Sequence, residues 1–547
     1  MRAIKSFGRR CRHGYEWAIS TLERTIVVAE NRYTPISNFR PDQLTNWSFL
    51  KVPAAIGFLA MTLIAIGGSF YDSPFKLNMM HTWFFGQPSS TSQGATPLTL
   101  MFSVAFTFGG MFLFMRMWLR LSEVVKYHAG APEKILRRIL WLWAIPMIVA
   151  PIMFSRDVFS YAAQGEMTSY HVSPYTNGPW SLSPPGTNSF VNPVDPLWGN
   201  TPAPYGPFFL WLDSLIVRIT GHHELASVVG LRLLEMLAVF IMSFAVPGIA
   251  RSLGRDGGEA LVFGVMNPLV LLTLIGGAHN DAMMVALLCL GIWWALRDHR
   301  IAGIVACTLA AMIKAPALLG VVYIAWTWRG PLASYRERIK PLAIGAVASL
   351  IPIFITTWLA GFGFGWVKNL ATPGTVVNWA APATGLAILI RNIGHWFGAT
   401  VPFKGILAVT RAVGMISAIS IALALFFTAD KRGWVRNLGL TFVAFVLLGP
   451  VIQPWYMTWG VALVGCTYVK REHFWVMSLV IVTPFIDMPG GRQLMSGLVK
   501  ASAPVMLITL LCLVAAILAP LGRWTQWSWP PHRILSADEQ ALLDARA

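Results

Sequence analysis

The sequence predicts an all-α polytopic membrane protein, and three observations predict it. Of its 547 residues, 55% are hydrophobic and only 12% are charged, about half the charged share of soluble domains. The apolar residues gather in runs of the length that crosses a bilayer. The net charge of +18 is scattered between those runs, which is the pattern of topology signals and excludes a nucleic-acid-binding stripe.

The chain opens with a polar stretch, so 1–51 reads as a cytoplasmic N-terminal segment without a cleavable signal peptide. Candidate spans follow at about 52–70, 98–121, 137–154, 225–250, 259–276, 280–297, 300–313, 315–329, 341–361, 404–428, 434–451, 456–469, 473–488 and 501–521. That predicts about 13–14 transmembrane helices, the shorter ones sheltered within the bundle. The run GPFFLWLDSLIVRIT, 206–220, is short and interrupted by Asp213 and Arg218, and is assigned to the membrane surface as an amphipathic helix. Counting it as a span would send KRGWVR and YRERIK outward, against the positive-inside rule. Both termini are then cytoplasmic, with one membrane domain, 52–521, between the N-terminal segment and the polar tail 522–547.

This topology gives the outer face a long segment, 155–224, a second at 362–403, and short turns carrying GGAHND, PVIQPWY and DMPGGRQL. Loop 170–205 is rich in Pro, Gly, Asn and Trp; loops of that length are functional or disordered, and its aromatics and turn residues favour an ordered loop packed on the bundle. The cysteines, Cys11, Cys289, Cys307, Cys466 and Cys512, are odd in number and mostly sit in apolar runs, which supports neither a disulfide framework nor a metal cluster.

Ionisable groups collect on that outer face, where each is costly and therefore a functional candidate. In FSRDVFSYAAQG, Asp157 directly follows the third span. A carboxylate at the end of a rigid helix suits a general base held beside an acceptor hydroxyl; the structural alternative is an interfacial Arg–Asp pair. Arg156 next to it is expected to lower its pKa. Tyr161 and Glu166 extend the candidate surface, Glu166 being equally readable as a solvated loop residue. In IGGAHNDAMM, Gly276 and Gly277 permit a tight turn, and His279, Asn280 and Asp281 are more polar groups than a helix cap needs. Lys314, in AAMIKAPALLG, requires an anion or a route to water, and a phosphate is a natural partner. Arg492 in DMPGGRQL is a further outer cation. Gln453, Trp455 and Tyr456 in GPVIQPWYMTWG combine an amide with aromatic faces, the chemistry that binds a sugar, although Trp and Tyr are also ordinary at interfaces. Arg232 and Glu235 in LRLLEML, one turn apart within a span, are expected to pair. HExxH, phosphate-loop and dinucleotide patterns are absent, so no zinc site or nucleotide is expected.

Together SRDVFSYAAQ, TPAPYGPFFLW, NPLVLLTLIGGAHNDAMM, GFGFGW, TRAVG and PVIQPWY resemble the polyprenyl-phosphate-mannose-dependent α-(1→6)-mannosyltransferases of GT-C fold, closest to the MptB type and with the MptA type not separated. The resemblance covers roughly 50–520. It implies elongation of the mannan core of lipomannan and lipoarabinomannan at the extracytoplasmic face of a bacterial plasma membrane, with a lipid-anchored mannan as acceptor. It further implies Asp157 as catalytic carboxylate in the first outer loop and 206–220 as the juxtamembrane helix. A β-linked donor and an α product imply inversion, for which one base suffices. Lys314 and Arg492 would then stabilise the leaving phosphate. No cofactor is demanded; a divalent ion is compatible with the residues. A transporter or flippase of lipid-linked sugar, which would place its groups on broken helices near the midplane, and a transferase of the same fold for another sugar are the alternatives.

Overall fold

The structure, a computed structural model, describes residues 50–70, 73, 97–127, 131–184, 188–377, 380–400, 402–467 and 470–485. The chain divides into two compact units, and the described helices belong to the larger, Pro53–Leu513, apart from the first residues of the first helix. The expected span 501–521, both tails and Arg492 lie outside the described residues.

Every regular element among the described residues is a helix, as apolar runs that must satisfy their own backbone groups in lipid require. In order come α1 (Lys51–Ser69), α2 (Pro97–Tyr127), α3 (Glu133–Val149), α4 (Asp157–Ser169), α5 (Pro207–Ile219), α6 (Glu224–Ser252), α7 (Gly257–Gly264) and α8 (Asp281–Leu296). Then follow α9 (Arg300–Ala311), α10 (Leu318–Thr327), α11 (Tyr335–Ala360), α12 (Pro382–Trp396), α13 (Phe403–Phe427), α14 (Trp434–Leu448), α15 (Met457–Gly465) and α16 (Lys470–Val482). The boundaries track the expected spans closely, and α5 falls on the predicted amphipathic run.

Length is where expectation and structure part. Among the described residues five helices are long and apolar enough to cross a membrane, or six if the pair Val270–Gly276 and α8, bent by 117°, is one span. The other expected spans are shorter or interrupted where they fall among the described residues. The run 259–276 is α7 followed by a π-helical turn, Val270–Gly276. Its break falls at Asn267-Pro268: Pro cannot continue the ladder, and Asn267, fully buried, donates to the Phe263 carbonyl and accepts from Val270 N–H.

Arg232 and Glu235 do not pair; this corrects the expectation from their spacing. Arg232 donates to the carbonyls of Ile148 (3.1 Å), Ala150 (2.6 Å), Pro151 (3.2 Å) and Gly276 (3.1 Å). Glu235 instead accepts the Met283 N–H at 3.2 Å, in the first turn of α8. The reason is that a helix end leaves carbonyls unpaired, and a planar guanidinium can gather several. One side chain thereby ties the exit of α3 to the turn before α8, the two places where the candidate polar residues emerge. Arg232→Leu is expected to lower unfolding free energy by about 1–3 kcal/mol, the cost of buried polar groups left unmade. Thermal melting in detergent measures it; an unchanged midpoint would remove the clamp.

The described parts of the cover loop, 170–184 and 188–205, are tied down. Gly206 and Phe208 donate backbone N–H groups to Ile313 and Met312. A Cβ at Gly206 would lie 2.2 Å from the Met312 carbonyl oxygen, so only glycine fits this approach. From the segment 362–377, Asn369 Nδ2 donates to both Tyr175 O (3.0 Å) and Ala203 O (3.1 Å). Phe362 and Trp366 pack on Tyr175, Ala203 and Leu210 beside it.

Candidate active site

Two turns built from unusual backbone meet at the site. Phe154 (φ 70°) precedes Ser155-Arg156-Asp157, and Ala278 (φ 52°) precedes His279-Asn280-Asp281. Non-glycine residues in the left-handed region carry strain that clusters at functional sites. Gly277, expected to permit a tight turn, is not left-handed, but a Cβ there would meet the Thr273 carbonyl at 2.8 Å and the His279 ring at 3.0 Å.

Asp157 begins α4 with its side chain 16% exposed. Trp198 Nε1 donates to its Oδ1 at 3.2 Å, and His279 Nδ1 stands 3.6 Å from its Oδ2. Arg156 does not hold this carboxylate down as expected; its Nε donates to the Pro193 carbonyl at 2.8 Å. Burial dominates instead and pushes the Asp157 carboxyl up to about 6, with Lys314 drawing it down, Asp195 and Asp281 raising it and the Trp198 bond lowering it. Loss of hydration disfavours the charged form more than one cation restores it.

Behind Asp157 lies a buried polar layer. Tyr161 OH reaches Asn280 Oδ1 (3.4 Å) and His279 Nδ1 (3.5 Å). Asn280 holds the cap position of α8 without a side-chain capping bond, so capping is not what its amide does. The His279 ring stacks on Trp455 with centroids 3.5 Å apart. Trp455 is 4% exposed, so its face is spent on His279 and is no open sugar platform. Lys314 finds its anion within the protein: Nζ lies 2.5 Å from Asp281 Oδ2, while Trp459 Nε1 donates to Oδ1 at 2.6 Å. The ammonium also sits over the rings of Tyr456 (4.9 Å) and Tyr205 (5.6 Å), within reach of a cation–π attraction.

Three polar atoms here are buried with no hydrogen-bond partner: His279 Nε2, Asn280 Nδ2 and Gln453 Oε1. Unmade buried hydrogen bonds are costly, and at a site they are groups available to a ligand. An apolar crevice lined by Phe154, Leu272, His279, Trp455 and Pro484 adjoins them. Glu166 stands apart, about 13 Å along α4 from Asp157 at 1.5 Å per residue, and its Oε2 lies 2.7 Å from His222 Nδ1. Among the described residues no group of three or more His, Cys, Asp or Glu side chains could hold a metal ion.

The structure thus joins Asp157, Tyr161, His279, Asn280, Asp281, Lys314, Trp455 and Tyr456, and adds Trp198, Tyr205 and Trp459. Tyr205 stood in TPAPYGP without a role assigned to it. Trp459 lies three residues after Tyr456, one helical turn on, a spacing that could have signalled it. Nothing local marks Trp198.

Residues 54–330, just over half of the chain, match the family model described as alpha-(1->6)-mannopyranosyltransferase, N-terminal domain. The chain belongs to that family. Residues 383–520 match the MptB C-terminal domain. The chain is 32% identical over 75% of its length to alpha-(1->6)-mannopyranosyltransferase A of Mycobacterium tuberculosis, covering 79% of that protein. It is 24% identical over 86% of its length to alpha-(1->6)-mannopyranosyltransferase B of Corynebacterium glutamicum, covering 81% of it. No solved structure matches. As a family member the chain is a mannosyltransferase, and so a hexosyltransferase acting between a mannose donor and a glycan acceptor. Asp157 through Lys314 fall in the first match, Gln453 through Trp459 in the second.

Proposed function

We propose that this mannosyltransferase takes mannose from polyprenyl-phosphate-mannose and adds it, with inversion and in α-(1→6) linkage, to a lipid-anchored mannan. The reading places this at the outer face of the plasma membrane, in building the lipomannan and lipoarabinomannan core, on a GT-C fold with both termini cytoplasmic. The observation that carries it is Asp157: a part-exposed carboxylate at the start of α4, backed by a buried polar layer. The names of the relatives support the linkage. Lys314 and the unspent groups of His279, Asn280 and Gln453 suit the phosphate and sugar hydroxyls.

In the step itself, the acceptor 6-hydroxyl attacks the anomeric carbon as its proton passes to Asp157. The bond from that carbon to the phosphate oxygen breaks, and polyprenyl phosphate leaves with the electron pair. One base completes an inverting displacement. Lys314, already shared with Asp281, would strengthen its hold on the phosphate as negative charge grows there.

Because the base acts ionised, transfer follows the unprotonated fraction of Asp157, whose carboxyl sits at about 6. The rate constant kcat/KM is expected to rise about tenfold per pH unit below that value and to level off above it. His279, Lys314, Asp195 and Asp281 face this group, and a profile flat down to about pH 4.5 would contradict its role.

The test of the function is incubation of purified protein with radiolabelled polyprenyl-phosphate-mannose and short α-mannosides, followed by linkage analysis. A flippase is the second reading, and the 117° break before α8, with polar residues at the break, is what favours it, since transporters bind at such breaks. Label crossing vesicles with no new glycosidic bond would select the flippase.

A further inference from the structure

We propose that Trp198 is an acceptor platform: its indole face receives a hexose ring of the acceptor glycan and sets that ring against Asp157. The inference rests on the transferase reading above and deepens it by naming where the acceptor lies.

The site otherwise offers few open aromatic faces. Trp455 is covered by His279, and Tyr161 is 1% exposed between Tyr205 and Phe209. Tyr205 and Tyr456 are half-buried like Trp198, but Lys314 sits over both of their rings and each packs against another aromatic ring. The edge of Trp198 is pinned by the 3.2 Å bond from Nε1 to Asp157 Oδ1, and that bond uses the ring's one polar atom. What remains is apolar face, and among the described residues no aromatic ring pairs with it. An aromatic face with its N–H already engaged is suited to the C–H side of a sugar. Holding the edge on Oδ1 leaves Oδ2, the oxygen turned to His279, to accept a proton from a hydroxyl on the seated ring.

The ring is also built to stay in place. It belongs to a single helical turn, Pro196–Gly199, whose start is capped by Asp195 accepting from Leu197 N–H at 2.9 Å. At the next residue, a Cβ on Gly199 would lie 2.2 Å from the Trp180 ring, so the turn is seated on a second indole. Arg156, the neighbour of the base, bonds the Pro193 carbonyl in the same stretch. Asn369 fixes both ends of the cover loop at Tyr175 and Ala203. A platform with a fixed distance to the base is what regiospecific attack by one hydroxyl demands.

The experiment compares wild type, Trp198→Phe and Trp198→Ala with a short α-(1→6)-linked mannoside as acceptor, in steady-state transfer and in saturation-transfer NMR binding without donor. The Ala variant should raise acceptor KM at least about tenfold, leave donor KM unchanged and lose the binding signal. The Phe variant, which keeps a face but loses the N–H, should retain acceptor binding within about threefold and lose mainly in kcat. Acceptor KM and binding unchanged in Trp198→Ala, with wild type active, would overturn the platform alone, as would an effect confined to donor KM. A wild type that neither binds nor extends the mannoside would overturn the platform together with the transferase reading.

Discussion

Asp157→Asn is expected to lower mannosyl transfer by about a thousandfold, the middle of the range for removing a general base, and to leave the protein folded. Asparagine matches the volume of aspartate, and its amide oxygen can still accept the Trp198 N–H now 3.2 Å from Oδ1. It also removes a carboxylate that burial already disfavours in its charged form, so folding should not suffer. Transfer of radiolabelled mannose and thermal melting of the same preparation separate the two effects. Activity within about tenfold of wild type would show that the proton goes elsewhere. A loss of activity matched by a loss of folded protein would reduce Asp157 to a structural role.

Lys314→Met should have the largest effect on stability. Asp281 is fully buried and meets Lys314 at 2.5 Å, with Trp459 as its other donor. Removing the cation strands a buried charge, at a cost of about 3–5 kcal/mol. The double variant Lys314→Met/Asp281→Asn should recover most of that stability, because the charge has gone with its partner. Transfer should stay low in both, and donor use should fall more than acceptor use if the ammonium also serves the phosphate. A double variant with normal donor KM would make the pair purely structural. One that melts as low as the single variant would show that the loss comes from packing rather than from the stranded carboxylate.

Much of the candidate site could be read from residues because its signals are local. A carboxylate after an apolar run, three polar residues between two spans and a lysine in an apolar turn are costly wherever they lie near lipid, and Asp157, His279–Asp281 and Lys314 do converge. The misses share a different cause. Arg156 and Asp157 are neighbours in the chain, as Arg232 and Glu235 are neighbours on a helix, yet each takes a partner from another segment. Adjacency offers a partner; burial and backbone groups left over at helix ends decide which one is taken. Trp455 looked like a sugar platform by its type, and packing on His279 removed it, while Trp198, unremarkable in its loop, was carried to the base.

The order of apolar runs and the scattered charge were enough to determine an all-helical membrane protein and the order of its helices, since a backbone in lipid must bond within itself. Tertiary structure alone decided which spans break, which charges neutralise each other, and that burial outweighs a nearby cation in setting the proton affinity of Asp157. Those outcomes rest on distance and dielectric between residues far apart in sequence, and no local pattern encodes either.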